Sequence, residues 1–195
     1  METKFVHTTE LLRSDTNQII ELFFGYAQLK NLYRQGWLER GIPKLDCETD
    51  ADHCFGVALL AYVIAEEYRP DLDISKVIKL SLIHEIGEIY AGDIKPSDGV
   101  SLEEKSRREF EAVNKVFSKF PNPDKYINLW KEYDGKKTPE AIFVAQIDKL
   151  ETALQANLYE RLNYGGLDEF FPYVNDRLSS PELRKIFDDL VNTRK

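Results

Sequence analysis

Apolar residues recur every three to four positions along most of this chain, whereas the strict alternation typical of a surface β-strand is hard to find. The first periodic segment, from about Thr16 to Tyr33, predicts a helix. Later segments predict helices from Thr49 or Asp50 to Pro70, over 74–90, from Ser101 to about Phe120, over 128–133, from Thr138 to Leu162, and from Ser180. We therefore expect an all-α protein built as a helical bundle.

Local signals mark several helix ends. Ser101 and Glu104 resemble a capping box, in which each side chain satisfies a free backbone N–H of the other. Pro139 stands in the first turn of the helix after Thr138, where its missing N–H costs nothing. Three helix breakers predict a loop after the first helix: Gly36, Gly41 and Pro43. This loop carries Arg34, Trp37 and Arg40.

Composition limits the classes of protein that this chain can represent. Its 195 residues, 43% of them hydrophobic, suit one compact domain. No apolar stretch is long enough to cross a membrane, and two cysteines are too few for a disulfide framework. We therefore expect a cytoplasmic protein with reduced thiols. The net charge of −8 argues against tight binding to long nucleic acids, although a bound cation would allow a small anionic substrate.

Two of the three histidines lie in apolar segments near acidic residues. His53 is near the start of a predicted helix, and His84 and Glu85 follow the apolar run LSLI of the next one. Burying such groups is costly unless they are paired or bind a metal. A helix over 74–90 would place Glu88 on the same face as His84 and Glu85. Either histidine alone is more often a hydrogen-bonded core residue, so the candidate site rests on their combination.

Asp148 is a further candidate ligand, because it lies in the apolar-striped segment FVAQIDKLETAL. Alone, such a residue more often caps a helix or forms a salt bridge. Together with imidazole nitrogens, its carboxylate suits Zn, Mn, Fe or Co, which the spacing does not separate. The segment HEIGE is not the HExxH zinc motif, because position 88 is Glu. The P-loop and the G-x-S-x-G nucleophile elbow are also absent from the sequence.

The order of these residues resembles the H…HD…D pattern of the HD-domain superfamily. The segments GWLERGI, ETDADHCFGVALLAYVIA, LIHEIGEIYAGDIKPSD and LWKEYDGKKTPEAIFVAQIDKLETALQANLYE resemble, in order and spacing, the HD-domain 5′-deoxynucleotidases. The resemblance covers roughly 28–160. It implies one HD domain over 1–195, with a metal core at about 28–160 and C-terminal helices over 166–195 packed on it.

The resemblance also implies roles for individual residues. The metal ligands would be His53, His84, Glu85 and Asp148. Glu88 would transfer a proton or hold the attacking water, and Asp93 would contact the sugar or, with Glu88, a second cation. Trp37 would disfavour a 2′-hydroxyl unless it only anchors the loop. Arg34 would bind phosphate, although the family's Arg can stand directly before the Trp, where this chain has Gly36.

At Glu85 the chain departs from the family, whose usual pair is His-Asp. Glutamate adds a methylene, so its carboxylate or the backbone must shift to keep a bond near 2.1 Å.

The implied activity is metal-dependent release of phosphate from deoxynucleoside 5′-monophosphates by a homodimer, with Co, Mn, Mg, Zn or Fe as the ion. The alternatives are an HD phosphohydrolase for another nucleotide or phosphate ester, and a noncatalytic HD-like binding module. The HD phosphohydrolases that carry HDxxED fit less well, because Ile89 follows Glu88.

Overall fold

A computed structural model describes residues 1–13 and 15–194. Ser14 and Lys195, which the predicted domain includes, lie outside the described residues. The chain forms helices α1 to α10, in order Gln18–Asn31, Gln35–Glu39, Asp50–Tyr68, Ile74–Ile83, Glu88–Ala91, Leu102–Phe117, Pro123–Asp134, Pro139–Arg161, Phe170–Asn175 and Pro181–Asn192. Within the described residues, extended pairing is limited to two isolated bridges, Thr3 with Leu32 and Tyr33 with Thr49. The prediction of an all-α protein is confirmed.

The described residues divide into two compact units. The first contains 1–55 and 82–135, and the second contains 56–81 and 136–195. A core in the first unit joins α1, α5, α6 and α7 through buried apolar residues that include Leu29, Ile89, Val113 and Trp130. The extent of the single HD domain stays a prediction. None of the described helices has the length and apolar character that a membrane crossing requires.

Several predicted helix starts are confirmed by their caps. The Ser101 hydroxyl accepts a hydrogen bond from the Glu104 backbone N–H at 3.2 Å, and Thr138 caps α8 in the same way. At α3 the cap is Thr49, whose Oγ1 accepts from the Asp52 N–H at 3.3 Å. Asp50 is therefore the first residue of α3 rather than its cap.

Three helix predictions are wrong in detail. The helix predicted over 128–133 begins earlier, at Pro123, as α7. The predicted loop after α1 contains the short helix α2, Gln35–Glu39. The single helix predicted over 74–90 is broken, because 84–87 form a turn between α4 and α5. There the N–H groups of Ile86 and Glu88 donate to carbonyls three residues back instead of four. His84, Glu85 and Glu88 therefore do not share one continuous helical face.

Candidate metal centre

Two imidazoles and one carboxylate meet inside the first unit. His53 lies one turn into α3, and its ring is fully buried. His84 and Glu85 come from the turn at 84–87. The Tyr133 ring packs against the His84 ring edge-on, with the centroids 5.4 Å apart, and fixes one side of that imidazole.

The ligand atoms of these three residues form a nearly equilateral triangle. The Nε2 atoms of His53 and His84 are 3.5 Å apart, and Glu85 Oε1 lies 3.7 Å and 3.6 Å from them. The centre of such a triangle is about 2.1 Å from each corner, which matches the lengths of Zn–N and Zn–O bonds. Two imidazole nitrogens and a carboxylate oxygen form a donor set that suits a divalent transition metal. These residues therefore fit a divalent ion.

Further acidic side chains surround this triangle in the same unit. Glu88 is 2% exposed and Asp50 is fully buried. Within the described residues, no N–H group donates a hydrogen bond to Glu88 Oε2 or to either oxygen of Asp50. Burial and the carboxylates of Glu85, Asp50 and Asp93 raise the pKa of Glu88 well above its usual value, against the opposing charge of Lys105.

Two cations compensate this acidic cluster. Arg34 Nη1 donates to Glu85 Oε1 at 3.5 Å and lies 3.9 Å from Asp50 Oδ1. Burial alone would lower the pKa of Arg34, but Asp93 and the other nearby carboxylates raise it well above its usual value. Lys105 of α6 lies 3.9 Å from Glu88 Oε1. Arg34 therefore contacts the candidate metal ligand Glu85 directly.

Sequence reasoning missed Asp50 and Lys105. In the sequence, Asp50 is a candidate helix cap. In the structure Thr49 caps α3, and the Asp50 carboxylate is instead buried near Arg34. Lys105 belongs to a strongly charged helix whose pattern indicates a solvent-facing surface. The sequence offers one signal for Lys105, which is that Glu109 stands four residues later and can pair with it on the same helical face. Its contacts with Glu88 and Ile94 depend on the tertiary structure.

The predicted sugar-contacting residues have definite structural partners. Trp37 is 3% exposed, and its indole N–H donates to Glu48 Oε1 at 2.6 Å. This burial matches the role of a segment anchor. Asp93 Oδ2 accepts a hydrogen bond from the Gln35 backbone N–H, the first of α2, at 2.7 Å. The Asp93 carboxylate therefore attaches the start of α2, directly after Arg34, to the loop that follows α5.

Asp148 belongs to the second unit, where it lies on α8 and is 5% exposed. Its Oδ2 is 2.9 Å from Lys149 Nζ. The prediction that Asp148 is buried in the long helix is confirmed, and its role as a ligand stays a prediction.

Comparisons with known proteins agree with this chemistry. A sequence model of the HD domain family matches residues 26–186. The chain is 35% identical to the 5′-deoxynucleotidase HDDC2 of Bos taurus, over 86% of this chain and 82% of the relative. It is 31% identical to the 5′-deoxynucleotidase YGK1 of Saccharomyces cerevisiae, over 86% of this chain and 79% of that relative. The crystal structure of PH0347 from Pyrococcus horikoshii OT3 matches with a TM-score of 0.75 and 33% identity, over 89% of this chain and 98% of that one.

Proposed function

Because this chain belongs to the HD domain family, we propose that it is a metal-dependent 5′-deoxynucleotidase, which releases phosphate from deoxynucleoside 5′-monophosphates. The observation that carries this proposal is the triangle of His53, His84 and Glu85 beside the buried carboxyl of Glu88. The curated relatives that match most of the chain bear the name of this activity.

The proposed ligand set is His53, His84, Glu85 and Asp148. Three of these have ligand atoms within 4.8 Å of one another in the first unit. Asp148 is proposed as the fourth on the family pattern, and its burial on α8 is consistent with that role. A divalent ion at this site would supply Lewis-acid activation of the phosphate and would lower the pKa of water. Co, Mn, Mg, Zn and Fe all suit the donor types.

Glu88 is the proposed proton-transferring residue. Its raised pKa favours the protonated carboxyl, because a buried charge beside other carboxylates is costly. Such a carboxyl is suited to donate a proton to the leaving 5′-oxygen of the nucleoside. Arg34 contributes positive charge beside Glu85, where it can donate charge-assisted hydrogen bonds to phosphate oxygens.

We propose that the sugar is recognised at α2, which contains Trp37 and is held at its start by Asp93. Asp93 holds the start of α2, and the buried Trp37 ring fixes the rest of that short helix. A rigid α2 would place its backbone close to the sugar and leave no room for a 2′-hydroxyl. A second cation near Glu88 and Asp93 stays a prediction, because the Lys105 ammonium already lies 3.9 Å from Glu88.

A homodimer and a cytoplasmic location are also proposed. Four apolar side chains of α1 are exposed, namely Ile19, Ile20, Phe23 and Tyr26. An exposed apolar group of this kind is common where a second copy packs. Cys47 and Cys54 are both buried and are not joined in a disulfide, in agreement with a reducing compartment.

The test is a phosphate-release assay with matched deoxy- and ribonucleoside 5′-monophosphates, run with Co²⁺, Mn²⁺, Mg²⁺ or Zn²⁺ after chelation. We expect metal-dependent release with a preference for the deoxy substrates. The control is Glu88→Gln, which keeps size but removes the titratable group. It should retain metal and lose about a hundredfold or more in turnover. Release from other phosphate esters alone would favour another HD phosphohydrolase, and no release from any substrate would favour a binding module.

A further inference from the structure

Lys105 makes three polar contacts that link α6 to the candidate active site. Its ammonium donates to the Ile94 carbonyl oxygen at 3.1 Å. It lies 3.4 Å from Glu109 Oε1 and 3.9 Å from Glu88 Oε1. Ile94 directly follows Asp93, the proposed sugar-contacting residue. The Lys105 ammonium therefore contacts both Glu88 and the backbone next to Asp93.

The environment of Lys105 differs from that of an ordinary surface lysine. Burial would lower the pKa of Lys105, but Glu88, Glu109 and the more distant Glu85 and Asp93 raise it above its usual value. Its partner Glu109 is 8% exposed, and burial raises the pKa of that carboxyl to about 7. An exposed i,i+4 ion pair contributes little to stability, because water solvates both charges almost as well. The contacts of Lys105 with two carboxylates and a carbonyl are partly buried, so water cannot replace them as easily as it replaces an exposed pair.

The packing of α6 explains how Lys105 reaches this position. Gly87 lies against α6 at Glu109, where a Cβ on Gly87 would meet the Glu109 backbone within 3.1 Å. The missing side chain lets α6 approach the turn at 84–87 directly. As a result, Lys105, one helical turn before Glu109, extends over Glu88 and the loop after α5.

From these contacts we propose that Lys105 is a positioning residue for phosphate-ester hydrolysis, acting through Glu88. Its ammonium fixes the orientation of the Glu88 carboxyl, and the hydrogen bond to the Ile94 carbonyl oxygen holds that ammonium in place. Lys105 contacts Glu88, Glu109 and Ile94, none of which is a proposed metal ligand. This inference rests on the proposed function, because it assigns to Lys105 the placement of that reaction's proton donor.

The experiment compares Lys105→Met, Lys105→Arg and Lys95→Met in the full chain, with a deoxynucleoside 5′-monophosphate and saturating Mn²⁺. Lys105→Met should lower kcat by about tenfold to a hundredfold, as the loss of a group that orients an active-site residue typically does. KM and bound metal should stay close to wild type. Lys105→Arg, which keeps the charge, should recover most of kcat.

Lys95→Met is the matched control, because Lys95 pairs with Glu39 and Asp98 and not with Glu88. Its kcat should remain within about twofold of wild type, as for a surface ion pair. If Lys105→Met does not fold at the assay temperature, Lys105→Gln replaces it, since Gln can still donate to a carbonyl without carrying charge. The same loss of kcat is expected for that variant.

A double variant separates the inference from the proposed function. Because Lys105 acts through Glu88, adding Lys105→Met to Glu88→Gln should lower kcat no further than Glu88→Gln alone. Independent, multiplying losses would overturn the inference, as would a kcat for Lys105→Met equal to that of Lys95→Met. Full activity of Glu88→Gln would instead overturn the role of Glu88 in the proposed function.

Discussion

Gly87 and Glu109 approach so closely that a Cβ added to Gly87 would lie 2.8 Å from the Glu109 Cβ and 3.1 Å from its Cα and carbonyl oxygen. A backbone cannot rotate away from such a contact as a flexible side chain can. The turn that carries His84 and Glu85 is therefore packed directly on α6. This contact makes Gly87 a structural requirement of the candidate site.

Gly87→Ala should destabilise the protein, because the new methyl group forces α6 away from the turn. Overpacking of this kind costs about 1–3 kcal/mol, measured as a lower free energy of unfolding in denaturant titrations. Turnover should fall as well, since α6 carries Lys105. The matched control is Gly36→Ala, where no heavy atom of the described residues, apart from the adjacent residues and the backbone of α2 itself, lies within 4 Å of an added Cβ. In α2 that change should be neutral or raise the free energy of unfolding by up to about 1 kcal/mol. Equal stability of the two variants would contradict the close packing.

Metal binding should depend on the two buried histidines. His53→Ala and His84→Ala each remove one corner of the ligand triangle, and loss of a ligand should cost more than the roughly tenfold to hundredfold seen for supporting residues. His7→Ala is the control, because His7 Nε2 bonds to the Ile89 carbonyl oxygen at 2.8 Å, outside the ligand set. Elemental analysis of protein purified without chelator measures the outcome. Full occupancy in His53→Ala would refute the proposed ligand set.

Glu85 offers a direct test of the departure from the family pattern. Glu85→Ala should release the metal, because it removes the only carboxylate corner of the triangle and leaves Arg34 without that partner. Glu85→Asp restores the family's usual pair and should retain both metal and phosphate release. Both variants are assayed with Co²⁺, Mn²⁺, Mg²⁺ or Zn²⁺. Activity confined to the Asp variant, with none in the wild type, would show that the natural chain is not an enzyme as it stands.

Asp50 predicts a pH dependence of stability. Burial raises the pKa of Asp50 to about 8 from 3.8; the charges of Asp93 and Glu85 add to the rise, and Arg34 and a side-chain hydrogen bond with Glu88 oppose it. As pH rises between these values, the unfolded chain releases this proton while the folded chain keeps it, so stability falls. Asp50→Asn removes that loss.

In metal-free protein, we expect the free energy of unfolding of Asp50→Asn to exceed that of the wild type at pH 8. Near pH 4 the difference should vanish. Denaturant titrations at both pH values in the presence of a chelator provide the measurement. A variant less stable than the wild type at pH 8 would show that the Asp50–Arg34 pair stabilises the fold.

The sequence by itself determined the helical architecture and the types of residue at the site. Periodic apolar positions predict helices because a helix buries one face, and the side chains that cap α6 and α8 act on backbone groups only three residues away. His53, His84 and Glu85 could be selected from the sequence because ionisable side chains in apolar segments need a partner.

Only the tertiary structure decided how these residues meet. The turn at 84–87 depends on the approach of α6 to Gly87, a contact between segments more than 20 positions apart. The burial of Asp50 and the reach of Lys105 to Glu88 and Ile94 also depend on which helices pack together. Local patterns carry no information on such contacts, because periodicity identifies the face of a helix that is buried but not the helix that covers it.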